Sequence, residues 1–592
     1  MTQLNKEQQT AVRHQDGPML VIAGPGSGKT AVLTEHIRYL ITEADVRPEQ
    51  ILALTFSKKA AGDMQRRFLK NTGQCSTGVT FGTFHSVFYG VLRQYNSQTL
   101  RIVTVSEQIT MMKDLIRRKE QKIIDSEGAM YILNKISLYK NTGSLPFLPA
   151  MTKEDFLWIT REYDRRMENA GCIDYEDMIL KALQILKNQP LILTGLQDRF
   201  LHILTDEFQD CNTAQYDLLN LLAGKRANLF AVGDDDQSIY GFRGAGGDVM
   251  QRLLADHRDC KIVYLRRNYR CPASVIDLAD RFARGNQNRL EKPKQLPSKR
   301  RGEGSVVIMK NKDAYSEAVS VHKEIVRLLG NGECLKNDIA ILYRSKQCAD
   351  YLTEYLAGQD LVCVRSAKNS FYAMPGVQEA LAYLSLSQGQ YTRTAFYTVL
   401  NHPNRNLVRE CIGDETVLPD QMLCYYEGDQ RATQALNKLF SDLKVIRDLP
   451  PFAALHYIFR GIGLGQDYDP DVLLPKLCAR AKPYSTIRDF LQHVREEKIP
   501  EEQQGKNKQI KDGITLQTVH ASKGLEYDTV FVIGLQEGLF PSARACTVKE
   551  TEEERRLMYV AMTRARNRLY LCARGCEDIG KRYSPFIAEL ER

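Results

Sequence analysis

The sequence predicts an α/β chain built on two doubly wound parallel sheets, each interrupted by a mainly helical insertion. Three observations carry this expectation. Short apolar, β-branched runs recur in two regions and are followed by turn residues and then helical patterns. The runs are continuously apolar rather than alternating, as in strands covered on both faces. Each set of runs is broken by a long stretch of helical periodicity.

The first set comprises Met19–Ala23, Ile51–Phe56, Val79–Phe81, Phe200–Thr205, Asn228–Gly233 and Lys261–Leu265. The second comprises Ser305–Met309, Asp338–Tyr343, Ile514–Val519, Thr529–Gly534 and Arg568–Cys572. Helical spacing fills the gaps, as in EQITMMKDLIRRKEQKII and EDFLWITREYDRRMENA. The expected partition is 1–91 with 200–265, a helical insertion at 92–199, then 266–375 with 511–592, and a second helical insertion at 376–510. The charged stretch REEKIPEEQQGKNKQIKDG reads as a solvated linker leading back to the second sheet.

At 592 residues the chain has material for about four domains. Hydrophobic residues at 43% and charged residues at 26% are ordinary for a globular protein. A net charge of +9 suits a polyanionic partner, although over this length it decides little. The fourteen cysteines fall singly, without paired CxxC spacing, so they read as reduced thiols of a cytoplasmic protein rather than zinc ligands or disulfides. No signal sequence and no apolar run of ~18 residues is present, which excludes a membrane-spanning reading.

LVIAGPGSGKTAVL carries the strongest local chemistry. An apolar strand enters a glycine-rich turn, and Lys29 and Thr30 open a helix. Backbone N–H groups of Ala23, Gly24, Pro25's neighbours, Gly26, Ser27 and Gly28 can surround phosphates, aided by the positive helix end. Lys29 neutralises terminal phosphates, and Thr30 offers a hydroxyl to Mg²⁺. Ala23 stands where the strict pattern has glycine. A second apolar strand, FLHILTDEFQD, ends in acids. Asp206 is expected to hold Mg²⁺ through water, and Glu207 to orient and deprotonate the attacking water. Such loops serve kinases, GTPases, transporters and motors alike. The absence of an NKxD-like guanine signature argues against a GTPase.

Nine segments in one order resemble the UvrD/Rep/PcrA family of superfamily 1 (subgroup A) DNA helicases. They are LNKEQQ, AGPGSGKT, TFSKKAAGDMQRR, FGTFHS, DEFQD, GDDDQSIYGFRGA, LRRNYR, VHASKGLEYDTVFVIGL and EERRLMYVAMTRAR. The resemblance spans nearly the whole chain and implies two RecA-like motor domains sharing one ATP site. It implies that Gln8 reads the adenine edge, that Tyr269 stacks on the base, and that Gln237 contacts the γ-phosphate and its attacking water. The resemblance further implies that Arg270 and Arg564 reach the γ-phosphate from the second motor domain, and that Glu526 lies near the ribose and phosphates. It also implies single-stranded DNA contacts by Phe56, Thr83, His85, Tyr240, Phe242 and Arg243, with His520 in a motif linking DNA to nucleotide.

The sequence departs from the family in three places. Phe242 stands where tryptophan is usual, and Ser542 where a histidine often follows the proline. In NHPNRNLV the glycine expected after the arginine is missing, so the second insertion is the least family-like part. The implied activity is ATP-dependent 3′→5′ unwinding of duplex DNA in repair or replication, with ATP and Mg²⁺, on single strands and single-strand/duplex junctions. The alternative is a single-strand translocase that removes proteins or remodels forks with little processive unwinding. A DNA-binding adaptor without hydrolysis is disfavoured, because Lys29, Glu207 and Arg564 are all intact.

Overall fold

In the computed structural model, residues 4–591 are described except for 74, 96–99, 121–123, 125, 147, 149–150, 242–243, 245–247, 288, 298–301, 360, 362, 366–371, 373–374, 404, 406, 409–410, 413–416, 465–469, 504–512 and 576–581. Six strands form the first sheet: β1 (Met19–Ala23), β2 (Ile51–Thr55), β3 (Thr80–Thr83), β4 (His202–Thr205), β5 (Leu229–Gly233) and β6 (Lys261–Leu265). Their order is β3-β2-β4-β5-β1-β6, and every neighbouring pair is parallel.

The second sheet contains β7 (Ser305–Asn311), β8 (Ile339–Tyr343), β9 (Cys363–Arg365), β10 (Ile514–Thr518), β11 (Tyr527–Leu535) and β12 (Ala565–Arg574). Its order is β7-β12-β11-β8-β10-β9, with the pairs from β7 through β10 parallel. The expected two-sheet α/β fold is the observed one.

The alternation of side chains along a strand explains why these runs are apolar throughout. Leu20, Ile22, Leu52 and Leu54 enter one core of the first sheet, while Met19, Val21, Ile51 and Ala53 enter another on the opposite face. In the second sheet Ala340, Leu342, Val530 and Val532 face one core, and Ile339, Ile341, Phe531 and Ile533 the other. Each large aliphatic side chain so buried contributes about 1.5–3 kcal/mol.

Helices Val105–Glu120, Ser126–Thr142 and Lys153–Asn169 enclose a separate core around Met112, Leu115, Phe156, Ile159 and Tyr163. Helices Tyr175–Asn188 and Pro190–Arg199 instead contribute Met178, Ile179, Leu186 and Leu196 to a core of the first sheet. The chain divides into two compact units, residues 1–363 with 514–592, and residues 364–513. The second unit is helical about a core that includes Tyr372, Tyr383, Phe396, Leu436, Phe459 and Phe490. Tyr372 packs with the helices that follow it.

One local expectation is corrected. Helix Ile487–Gln503 runs through the first nine residues of the charged stretch read as a linker, and 504–512 lie outside the described residues. Glu, Gln and Lys are good helix formers, so high charge alone did not make this segment irregular. Among the described residues, no helix is long and apolar enough to cross a membrane. The twelve described cysteines are free thiols.

Candidate functional site: a nucleotide cleft joined to an aromatic track

Parallel pairing sends the C-terminal ends of all six strands of the first sheet to one edge, where ligands of open α/β sheets bind. Gly24–Lys29 follow β1, Phe56 follows β2, His85 follows β3, Asp206 and Glu207 follow β4, and Gln237 follows β5. Residues scattered over more than 200 positions thus share one rim.

The loop after β1 is shaped by its glycines. Gly26 and Gly28 have φ of +67° and +91°, a left-handed conformation that glycine adopts without steric cost. A Cβ on Gly28 would lie 2.9 Å from Gln8 Nε2, and one on Gly26 would collide with Arg270 Cβ. Ser27 Oγ donates to Gly24 O at 2.7 Å. Pro25 lies within this turn, and Thr30 in the first turn of helix Lys29–Thr42. Ala23, the last residue of β1, is fully buried and paired with Leu265, so its methyl faces the core.

Beside this loop, Gln8 Nε2 donates to Ser27 O at 3.0 Å while Gln8 Oε1 accepts from Asn5 N–H at 3.0 Å. An amide has two donor hydrogens and two acceptor lone pairs, so one of each remains for a base edge. Asn5 Nδ2 also donates to Tyr269 Oη at 3.1 Å, and Tyr269 N–H to Gly26 O at 2.8 Å. Gln8, Tyr269 and the loop are therefore one cluster, with Tyr269 39% exposed.

Lys29 Nζ lies 3.5 Å from Glu207 Oε2, and Gln209 Nε2 donates to the same oxygen at 2.5 Å. Burial would raise the Glu207 carboxyl, but Lys29, Lys523 and Gln209 outweigh it and hold the group at about 2. Asp206 behaves oppositely: burial, reinforced by the negative charge of Glu207, pushes it up to about 7. A buried carboxyl under that repulsion is a fitting ligand for a divalent cation, with the Thr30 hydroxyl as a second oxygen donor. The residues present fit Mg²⁺.

Two guanidiniums from the second lobe face this rim. Arg270 Nε donates to Glu526 Oε2 at 2.7 Å, and its Cβ touches the Gly26 turn. Arg564 is 1% exposed and donates to Val560 O, Leu525 O and Thr563 Oγ1 at 2.9, 3.2 and 3.1 Å. Burial first, and then the charge of Arg270, pull the Arg564 guanidinium well below its usual value, whereas Glu207 pulls it back up. Two adjacent cations with one carboxylate partner between them suit a polyanion. Glu526 and Arg564 immediately precede β11 and β12, so both sit at the N-terminal edge of the second sheet.

His520, by contrast, follows β10 at the opposite edge. There Phe56 and Tyr240 stack at 4.9 Å between centroids, and His520 lies 6.5 Å from Tyr240. Thr83 is tied to Ser86 at the start of helix Phe84–Tyr95, and His85 meets Tyr175 edge-on at 5.5 Å. Phe242 and Arg243 lie outside the described residues.

Sequence reasoning missed Lys523, which connects the two regions. Its Nζ lies 2.5 Å from Asp210 Oδ2, 2.8 Å from Gln237 O and 5.1 Å from the Tyr240 ring. A lysine in the SKG turn was visible in the sequence, but its partners lie 313 and 286 positions away. Gln209 was also missed: besides Glu207 it holds Asp234, whose N–H donates to Gln209 Oε1 at 2.9 Å. Lys523→Met is expected to lower the stimulation of hydrolysis by single-stranded DNA about tenfold while leaving hydrolysis without DNA within about twofold. Parallel rate measurements with and without oligonucleotide check this.

Comparison with known proteins identifies the family. The family model described as the UvrD/REP helicase N-terminal domain matches residues 4–258, and the UvrD-like helicase C-terminal domain matches 263–416 and 476–574. The chain is 30% identical to DNA helicase II of Haemophilus influenzae, over 100% of its own length and 87% of that protein. It is 29% identical to the ATP-dependent DNA helicase PcrA of Staphylococcus aureus, over 96% of its length and 83% of the relative. The PcrA of Staphylococcus epidermidis gives the same identity and coverage. With both domains of the pattern matched in order, the chain belongs to the UvrD/Rep family of DNA helicases.

Proposed function

We propose that this protein is a DNA-stimulated ATPase that translocates 3′→5′ on single-stranded DNA and unwinds duplexes, in DNA repair or replication. The observation that carries the reading is the composite cleft, in which Arg270 and Arg564 of one lobe face Lys29 and Glu207 of the other. Gln8 and Tyr269 take the adenine, the Gly24–Gly28 turn and Lys29 the phosphates, and Thr30 and Asp206 the Mg²⁺. Bound there, Mg²⁺ would supply positive charge to the phosphate oxygens.

Lys29 turns from Glu207 to the terminal phosphates when ATP enters, which frees Glu207 to accept a proton from the attacking water. Gln237 orients that water. Arg270 and Arg564 stabilise the charge that spreads over the transferring phosphoryl group. Because the arginines belong to the second lobe, ATP favours a closed cleft and hydrolysis releases it. Lys523 carries the change to Tyr240, where bases stack.

The residues proposed for the DNA track are Phe56, Thr83, His85, Tyr240, Phe242, Arg243 and His520. Tyr240→Ala is expected to weaken binding of an oligothymidylate by about 1–3 kcal/mol, the worth of one stacked base. Fluorescence anisotropy at fixed salt checks it. The proposed domain division is the motor domains 1–91 with 200–265 and 266–375 with 511–592, carrying insertions 92–199 and 376–510.

Strand displacement on duplexes with a 3′ or a 5′ single-stranded tail, in ATP and Mg²⁺, tests activity and polarity together. Displacement confined to 3′-tailed substrates supports the proposal, and preference for 5′ tails contradicts it. A second reading, translocation with little processive unwinding, rests on the divergence of the second insertion, where NHPNRNLV lacks the glycine expected after its arginine. Displacement of a long protein-free duplex by dilute monomer counts against that second reading.

A further inference from the structure

After helix Ala273–Ala283, the second lobe sends a segment back across the cleft to the first. It meets three consecutive buried aspartates, Asp234, Asp235 and Asp236, which directly precede Gln237. Their carboxylate oxygens lie within 4.8 Å of one another, a spacing that could hold a metal ion. The charge among them is already supplied by Lys292, whose Nζ is 2.6 Å from Asp234 Oδ1 and 2.7 Å from Asp236 Oδ2, and also contacts Asp235. Arg289 binds Asp236 with two nitrogens, at 2.7 and 3.2 Å, and Leu290 N–H donates to Asp235 Oδ2 at 2.7 Å.

Asp234 is the member that matters for chemistry. One of its oxygens takes Lys292, and the other accepts from Gln237 Nε2 at 2.7 Å. The Gln237 amide is therefore aimed by a carboxylate whose charge is balanced from the opposite lobe. The same segment ends at Gln295, which donates to Tyr559 Oη at 3.0 Å and packs over Gly24 of the phosphate loop. One stretch of the second lobe thus touches both the phosphate turn and the support of the hydrolytic amide.

We infer that Lys292 is a positioning residue for hydrolysis: it holds Asp234 so that the Gln237 side chain faces the γ-phosphate position, and it makes that alignment depend on the second lobe. Arg289 grips Asp236 rather than Asp234, the carboxylate that accepts from Gln237 Nε2, and so anchors the segment without aiming the glutamine. The inference rests on the hydrolytic role proposed for Gln237.

The test uses the full chain and steady-state ATP hydrolysis at saturating oligothymidylate, with Gln237→Ala, Lys292→Met, the double variant and Arg289→Met. Lys292→Met is expected to lower kcat about tenfold with KM for ATP within about twofold, and Arg289→Met to leave kcat within about twofold. The double variant is expected to match Gln237→Ala, because a lysine acting through the glutamine has nothing left to align. Losses that multiply in the double variant, or an Arg289→Met defect equal to that of Lys292→Met, would mean a merely structural cluster and overturn the inference. Unchanged kcat in Gln237→Ala would remove the hydrolytic reading and this inference together, which separates the two failures. Should Lys292→Met not fold, Lys292→Arg keeps the charge and is read by the same comparison, with an expected loss of about threefold and the same non-additivity.

Discussion

Arg564→Ala is expected to lower DNA-stimulated ATP turnover by about 10³-fold or more, while nucleotide affinity changes far less. The guanidinium is held against three oxygens of its own lobe, with Glu207 near enough to influence its charge. It is thus preorganised toward the position where charge develops, and it acts in the transition state more than in binding. Single-turnover hydrolysis measured beside nucleotide titration separates the two effects. Loss of the side chain also removes the Arg564 donor from Leu525 O, at about 1–3 kcal/mol for an unsatisfied group, while Val560 O keeps the Thr563 hydroxyl, so a thermal unfolding profile must accompany the kinetics. A variant that folds, binds ATP and hydrolyses it at the parental rate would remove Arg564 from the site.

Glu207→Gln is the second large effect, a fall of about 10²–10⁴ in hydrolysis with ATP binding kept. The amide retains an oxygen near Lys29 and Gln209 but cannot take up a proton from water. In the parent, Glu207 is held at about 2 against the opposing effect of burial, chiefly by Lys29. Removing its charge frees Lys29 for phosphate, so affinity for a fluorescent ATP analogue is expected to be equal or tighter. Unchanged turnover would assign proton abstraction elsewhere.

Much of this was legible along the chain because it is local. A strand buried on both faces needs continuous apolar residues, and MLVIA, ILALT, LFAVG and IAILY each supply one. The turn from β1 into helix Lys29–Thr42 announces itself through glycines at positions of positive φ. What stayed hidden is the pairing of charges across lobes. Lys292 could be a surface lysine in any sequence, and only folding brings it to Asp234, 58 positions earlier. Lys523 and Gln209 are alike in this: their roles come from partners, not from residue type. The placement of helices Tyr175–Asn188 and Pro190–Arg199 on the core of the first sheet was hidden too, since an amphipathic face does not say which surface it covers.

The most direct test is ATP hydrolysis by the purified chain with and without single-stranded DNA, in Mg²⁺ and at fixed salt. A two-lobed cleft linked through Lys523 to an aromatic track predicts slow hydrolysis alone and a rate raised at least about tenfold by oligothymidylate. A rate indifferent to DNA would contradict the coupling of the cleft to the track on which this account depends.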